Sequence, residues 1–179
     1  TRRNQLIIGL VLVGLMLLST AGYAINNESD TTTVSQIEHN GVTFIRNADY
    51  WNFNFKGQNF ITQYNPEEVK NIEVLTQIYL KDYSGQPLYF VTELGRQEME
   101  LAANLKNNVL RLQNACISKK NCENNLPIKN CSIDNVIIIK EAVNETEKIY
   151  QNEKCVFITA EYSNLTRYED AFLFNVLEI

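Results

Sequence analysis

The chain has 179 residues, 45% hydrophobic and 21% charged, which suffices for one domain with a sizeable core. Seven Gly and three Pro exclude collagen-like and low-complexity classes. The formal net charge is −5, and without Arg2 and Arg3 the 16 basic residues fall to 14 against 21 acidic ones, or −7, so no nucleic-acid partner is expected.

The N-terminal segment, residues 1–24, has the order of an export signal. Arg2 and Arg3 precede an uncharged apolar run over 6–18, and a small-x-small pair ends at Ala24. The apolar stretch is also long enough for an uncleaved anchor that keeps its arginines in the cytoplasm. We therefore expect a signal peptide or a membrane anchor, with the body secreted or anchored outside the cytoplasm.

A polar spacer over 25–40 and an extracytoplasmic α+β domain over 41–179 are expected next. Residues 50–55 alternate as a β-strand does, and 56–59 form a turn before a second strand. The alternation places three aromatic side chains on one face: Trp51, Phe53 and Phe55. An exposed face of this kind would stack on sugars, but packing on the core is favoured.

The middle of the chain predicts a short helix and then a long one. Asn65 can cap a helix that starts at Pro66. Residues 72–80 and 87–92 are extended in pattern. Leucines at a spacing near 3.6 residues predict a long central helix from Glu93 to Gln113.

The C-terminal part predicts a strand over 136–140, a hairpin over 148–160, and a last helix from Ser163 to the end. The apolar stripe of this helix consists of Leu165, Tyr168, Phe172, Val176 and Ile179. The fold class is therefore α+β: an antiparallel or mixed sheet packed by the long central helix and the C-terminal helix, with disulfides.

Four cysteines, an even number in an exported chain, predict two disulfides. They are Cys116, Cys122, Cys131 and Cys155. Zinc is the competing interpretation, but zinc sites pair ligands as Cys-x2–4-Cys, which is absent here. Three connectivities are open. The favoured one joins Cys122 to Cys131 and Cys116 to Cys155.

Candidate chemistry is sparse. His39 is the only histidine and lies in the expected spacer, where it is a poor general base. Carboxylate pairs are the remaining enzymatic option. The candidates are Glu67 with Glu68, Glu98 with Glu100, Glu141 with Glu145, and Glu169 with Asp170. Each pair is more simply a helix-dipole partner or part of a solvated face.

Four Asn-x-Ser/Thr sequons are candidate glycosylation sites in an exported protein. They are Asn27, Asn130, Asn144 and Asn164. An Asn-rich chain yields several such sequons by chance, and Cys131 next to Asn130 hinders access there.

The cysteine region carries a family resemblance. Its pattern is Arg111-x-Gln113-x-Ala115-Cys116-x5-Cys122-x4-Pro127-x3-Cys131, then a strand, Cys155 and a terminal helix with Asp170. This pattern resembles uncharacterised exported proteins of small-genome archaea, over roughly residues 60–179. The resemblance implies no activity, so no catalytic residue is carried over. The family's helix closes in Leu-Gly-Ile, whereas this chain closes in Leu177-Glu178-Ile179.

These features predict an exported cell-surface or envelope protein with a structural or binding role and no cofactor or metal. Its partners would be the membrane, through the N-terminal helix if it is uncleaved, and an envelope protein or a glycan. The alternative is a secreted, glycosidase-like hydrolase that uses a carboxylate pair.

Overall fold

The computed structural model describes residues 35–92, 99–120, 122 and 125–179, together with five positions near the N-terminus. The chain divides into two compact units, residues 1–34 and 35–179. The predicted signal or anchor, residues 1–24, lies outside the described residues except at those five positions. Within the described part of the chain, no helix is long and apolar enough to cross a membrane.

The first sheet is antiparallel and has four strands in chain order. They are β1 (Gln36–His39), β2 (Val42–Asn47), β3 (Tyr50–Phe55) and β4 (Gln58–Thr62). Asn40 and Gly41, with φ of 48° and 77°, make the tight turn that pairs β1 with β2. The folded unit thus begins within the predicted spacer 25–40, whose residues 25–34 lie outside the described residues.

One face of this sheet is core. Phe44, Trp51, Phe53 and Phe60 are buried, and the Phe53 and Phe60 rings stack with their centroids 5.3 Å apart. Phe55 is half-buried. The preference for packing over an exposed sugar-stacking face is therefore confirmed for Trp51 and Phe53.

Two short helices lead to the second sheet. Helix α1 (Pro66–Val69) begins as predicted, because the Asn65 side chain accepts from the Glu68 N–H while Glu68 accepts from the Asn65 N–H. Strand β5 (Val74–Leu75) and helix α2 (Leu80–Tyr83) follow.

The second sheet is mixed, with strand order β5-β9-β10-β8-β6-β7. Its other strands are β6 (Pro87–Thr92), β7 (Arg111–Asn114), β8 (Asn135–Glu141), β9 (Lys148–Asn152) and β10 (Cys155–Ala160). β10, β8, β6 and β7 run parallel, while β9 pairs antiparallel with β10. The α+β class with a mixed sheet is confirmed.

The prediction of a long central helix from Glu93 to Gln113 is wrong in its second half. Helix α3 is described over Met99–Leu105, and residues 93–98 lie outside the described residues. After Leu105 the chain turns, and Arg111–Asn114 pairs with β6 as β7. Asn107 and Asn108 are weak helix formers, and the Leu110 N–H donates to the Gln86 carbonyl across the sheet edge, which draws the chain out of the helix.

Helix α4 (Leu165–Leu177) follows a short 3₁₀ turn at Tyr162–Asn164 and confirms the predicted C-terminal helix. Leu165, Phe172 and Val176 are buried against one face of the second sheet and against the aromatic face of the first. The Phe174 ring meets the Phe44 ring edge-on at 5.8 Å. This helix is therefore the common core element of both sheets.

Two disulfides are present, but the favoured pairing is wrong. The bonds join Cys116 to Cys122 and Cys131 to Cys155, with Cα atoms 5.8 and 5.0 Å apart. The Lys154 N–H donates to the Cys131 carbonyl at 2.9 Å, which fixes Cys131 beside the first residue of β10. All four sulfurs are bonded, so none is available to zinc. The disulfides indicate a non-cytoplasmic setting.

Candidate functional site

A cavity of about 600 Å³ opens where parallel strands β6, β8 and β10 begin. Its lining comes from four places: residues 77–87 around α2, Tyr89 of β6, residues 133–135 at the start of β8, and residues 151–154 at the β9–β10 turn. Its volume lies within the range of roughly 300–1,000 Å³ of small-molecule sites. In doubly wound sheets ligands bind at the carboxyl ends of the strands. Here the segment between β7 and β8, called the cysteine loop because it carries Cys116, Cys122 and Cys131, and the turn between β9 and β10 form walls at the amino ends instead.

Several polar side chains in the lining have no protein partner. Within the described residues, the side-chain amides of Gln77, Gln86 and Asn135 make no hydrogen bond. Gln151, by contrast, is engaged at both ends of its amide: its Oε1 accepts from the Gln77 N–H at 2.9 Å, and its Nε2 donates to the Glu153 carbonyl at 2.6 Å. Gln77 and Gln86 are exposed and Asn135 is half-buried, so the cavity presents three carboxamides that no protein group occupies.

Charged groups at the cavity are mixed in sign. Lys154, Glu153 and Asp82 are exposed lining residues. Asp82 Oδ2 accepts from the Tyr79 N–H at 2.8 Å, which closes the start of α2, and Lys154 Nζ lies 3.4 Å from the Ile133 carbonyl oxygen. The lining therefore holds no cluster of free cations of the kind that binds phosphate.

One wall contains a compact cluster around Tyr89. Lys129 Nζ lies 3.9 Å from the Tyr89 ring centroid and 3.1 Å from Asp134 Oδ1, and Arg111 Nη2 donates to the Tyr89 hydroxyl at 2.8 Å. Hydrogen bonds from Lys129 and Arg111 lower the pKa of the Tyr89 hydroxyl. These contacts hold the cysteine loop, through Lys129 and Asp134, against β6 and β7.

Tyr83 contributes to the floor of the cavity. Its ring is almost completely buried, and its hydroxyl has no hydrogen-bond partner in the described part of the chain. Burial, and then the charge of Asp82, raises the pKa of this hydroxyl. Tyr83 therefore acts as an apolar packing element at this site.

A second notable cluster is a pair of carboxyl groups, Glu100 on α3 and Asp170 on α4. Asp170 Oδ2 accepts from the N–H groups of Gln63 and Tyr64 at 3.1 and 2.9 Å, and Glu100 Oε1 accepts from the Gln63 N–H at 2.9 Å. Burial, and then the charge of Glu100, raises the pKa of Asp170 well above its ordinary value. Burial also raises the pKa of Glu100.

The pair is a structural junction in this geometry. Both side chains hold the main chain just after β4, and neither lines any of the described cavities. Asn104 of α3 makes a similar contact nearby: its side chain accepts from the Ile61 N–H at 2.9 Å and donates to the Ile61 carbonyl at 2.7 Å. Helix side chains thus satisfy the outer edge of β4, as a covered sheet edge requires.

The remaining nominated carboxylates do not converge. Glu67 binds Lys70 and His39, each at 3.0 Å, and Glu145 binds Lys140 at 2.7 Å. Glu68 caps α1, and Glu98 lies outside the described residues. His39 ends β1 in a regular strand rather than lying in a spacer.

The sequons differ in their surroundings. Asn144 is exposed in the turn between β8 and β9, with φ of 57°. Asn130 is exposed, but its Oδ1 accepts from both the N–H and the hydroxyl of Ser132. Asn164 is half-buried and donates to Glu147 Oε1 at 2.9 Å. Asn27 lies outside the described residues.

Sequence reasoning missed the cavity residues. Gln77, Gln86 and Asn135 belong to no motif; the parallel pairing of β6 and β8 brings Gln86 near Asn135, and the hydrogen bond from the Gln77 N–H to Gln151 places Gln77. A sequence signal existed only for the walls, in the turn at Ser84 and Gly85 and in the cysteine loop. Comparison of the chain with protein-family models, curated proteins and solved structures gives no match. Function is therefore inferred from the geometry of the site.

Proposed function

We propose that this protein is an exported cell-surface or envelope protein whose α+β domain binds a small polar ligand in the cavity at the amino ends of β6, β8 and β10. The observation that carries the proposal is the convergence of three unpartnered carboxamides in that cavity. Polar groups that fold into a concave site without protein partners are the groups that orient a ligand. The two disulfides support the extracytoplasmic setting.

The site is built on rigid elements. Gln86 lies immediately before β6, Asn135 is the first residue of β8, and the Cys131–Cys155 bond ties the loop that leads into β8 to β10. Such placement fixes the main chain that carries Gln86 and Asn135 before a ligand arrives, which lowers the entropic cost of binding.

The test is a fragment screen by NMR on the full-length, disulfide-intact protein labelled with ¹⁵N, using fragment-sized alcohols, amides and carboxylates. Hits should shift the side-chain amide signals of Gln77, Gln86 and Asn135. Gln86→Trp should block the cavity mouth and abolish these shifts. Gln36→Trp, on exposed strand β1, is the matched control and should leave them unchanged. Hits that map to other surfaces, or that persist in Gln86→Trp, would contradict the proposal.

A hydrolase that uses a carboxylate pair is the second candidate, favoured by the raised pKa values of Glu100 and Asp170. Its support is weaker, because main-chain N–H groups already occupy these oxygens. A hydrolase would lose its activity in Glu100→Gln while keeping its fold. Turnover of a chromogenic glycoside by wild type, lost in that variant, would favour the enzyme over the binding module.

A further inference from the structure

We propose that the ligand of the cavity is a neutral carbohydrate, an inference that rests on the binding function proposed above. The amides of Gln77, Gln86 and Asn135 each offer two donors and one acceptor oxygen. A sugar hydroxyl both donates and accepts, so vicinal hydroxyls satisfy both ends of an amide. A carboxylate only accepts, and a phosphate has fewer donors than acceptors, so neither supplies a donor to each amide oxygen.

The charges around the cavity do not favour an anionic ligand. Lys129, next to the lining residue Tyr89, is engaged by Asp134 at 3.1 Å and by the Tyr89 ring at 3.9 Å. The exposed charged residues of the lining are Lys154, which is positive, and Asp82 and Glu153, which are negative. An anionic ligand would therefore gain no net attraction, whereas a neutral ligand is indifferent to this balance.

Three main-chain groups at this cavity are not available to a peptide strand. A peptide that adds to a sheet needs free main-chain N–H and C=O groups. The Gln77 N–H donates to Gln151, the Gln86 N–H donates to the Tyr83 carbonyl, and the Gln86 carbonyl accepts from the Leu110 N–H. The side-chain amides of Gln77 and Gln86 are the groups that these two residues offer instead, and amides pair with hydroxyl groups.

The cavity also offers apolar contact. Ile133, which is 70% exposed, and the buried Ile78 both line it. An isoleucine of that exposure at a polar site provides a surface for the C–H face of a sugar ring. Tyr89 does not provide it, because Lys129 and Arg111 lie over its ring.

The test uses the full-length, oxidised, ¹⁵N-labelled protein and six probes: neutral trisaccharides of glucose, mannose, xylose and N-acetylglucosamine, then trialanine and inorganic phosphate. At least one trisaccharide should shift the side-chain amide signals of Gln77, Gln86 and Asn135 in a saturable manner, while trialanine and phosphate should not. Gln86→Ala and Asn135→Ala should each weaken binding by roughly three- to tenfold, as expected for lost hydrogen bonds. The control Gln36→Ala should bind as wild type does.

The outcomes distinguish this inference from the proposed function. Saturable shifts at the cavity with trialanine or phosphate, and none with any trisaccharide, would overturn the carbohydrate class and leave a binding site in place. Sugar binding that Gln86→Ala and Asn135→Ala do not weaken would overturn the assignment of these residues. Absence of cavity shifts with every trisaccharide would overturn the inference, and the fragment screen would then decide the proposed function separately.

Discussion

Replacing Asp170 tests how the first sheet is joined to helices α3 and α4. In Asp170→Ala the Tyr64 N–H loses its acceptor, whereas the Gln63 N–H keeps Glu100 Oε1 at 2.9 Å. A buried donor without an acceptor lowers the free energy of unfolding by about 1–3 kcal/mol, and lost packing adds to this. We therefore expect Asp170→Ala to lower the free energy of unfolding by about 2–4 kcal/mol in total. Asp170→Asn keeps an oxygen for both N–H groups and places an amide donor toward Glu100. It should cost less than about 1 kcal/mol.

The pH dependence follows from the raised pKa of Asp170, caused by burial and then by Glu100. A group whose pKa is higher in the folded than in the unfolded protein stabilises the fold. This stabilisation is complete at pH values below the pKa of the unfolded state, which is about 3.9 for Asp. It is lost as the pH rises through the pKa of the folded state. Wild type should therefore lose stability relative to Asp170→Asn as the pH rises from about 4.

Urea unfolding of wild type and both variants over a pH series measures these effects. Asp49→Asn and Asp49→Ala, in the exposed turn between β2 and β3, are the matched controls and should behave as wild type does. Two results would refute the reasoning. One is the same pH dependence for wild type and Asp170→Asn. The other is an Asp170→Ala protein as stable as Asp49→Ala.

Four other substitutions or measurements test the remaining structure. Non-reducing peptide mapping should recover Cys131 bonded to Cys155, and removing that bond should cost about 3 kcal/mol; mixed pairings would contradict the structure. Phe172→Ala should cost about 3–5 kcal/mol and lower Tm strongly, and an unchanged Tm would show that α4 is not core. Asn104→Ala should cost about 1–3 kcal/mol in urea unfolding by exposing the edge of β4. Tyr83→Phe should leave Tm unchanged or raise it, since it removes an unpaired hydroxyl. A lower Tm would show that the Tyr83 hydroxyl has a hydrogen-bond partner.

Local patterns in the sequence predicted three elements. Strand 50–55 alternates, residues 136–139 are continuously apolar and buried on both faces, and the stripe of the last helix follows the helical period. Strand β1 was missed although its signal was present. The Asn40-Gly41 dipeptide favours a two-residue hairpin turn, but the flanking residues are too polar to read as a strand.

Tertiary pairing decided what local patterns could not. Leu105, Val109 and Leu112 fit a helical spacing, yet Leu112 belongs to a strand because β6 offers it an edge. Glu100 and Asp170 were each assigned to neighbours in the sequence, whereas the fold pairs them with each other across 70 positions. The cysteine pairing likewise depends on the start of β10 lying beside Cys131. Periodicity and spacing in the sequence encode neither the contact of Glu100 with Asp170 nor that of Cys131 with Cys155.

The disulfides and the candidate site depend on the same piece of chain. Cys131 lies two residues before Ile133, and Cys155 directly follows Lys154, so the Cys131–Cys155 bond clamps two walls of the cavity together. The Lys154 N–H donates to the Cys131 carbonyl and the Val136 N–H to the Lys154 carbonyl, which carries this constraint into β8. Reduction would release the loop that positions Asn135, while the core around Phe172 lies on the other face of the sheet. On the proposed function, ligand binding should therefore be lost under reducing conditions at temperatures where the core stays folded, because the loop that leads to Asn135 is then no longer tied to β10.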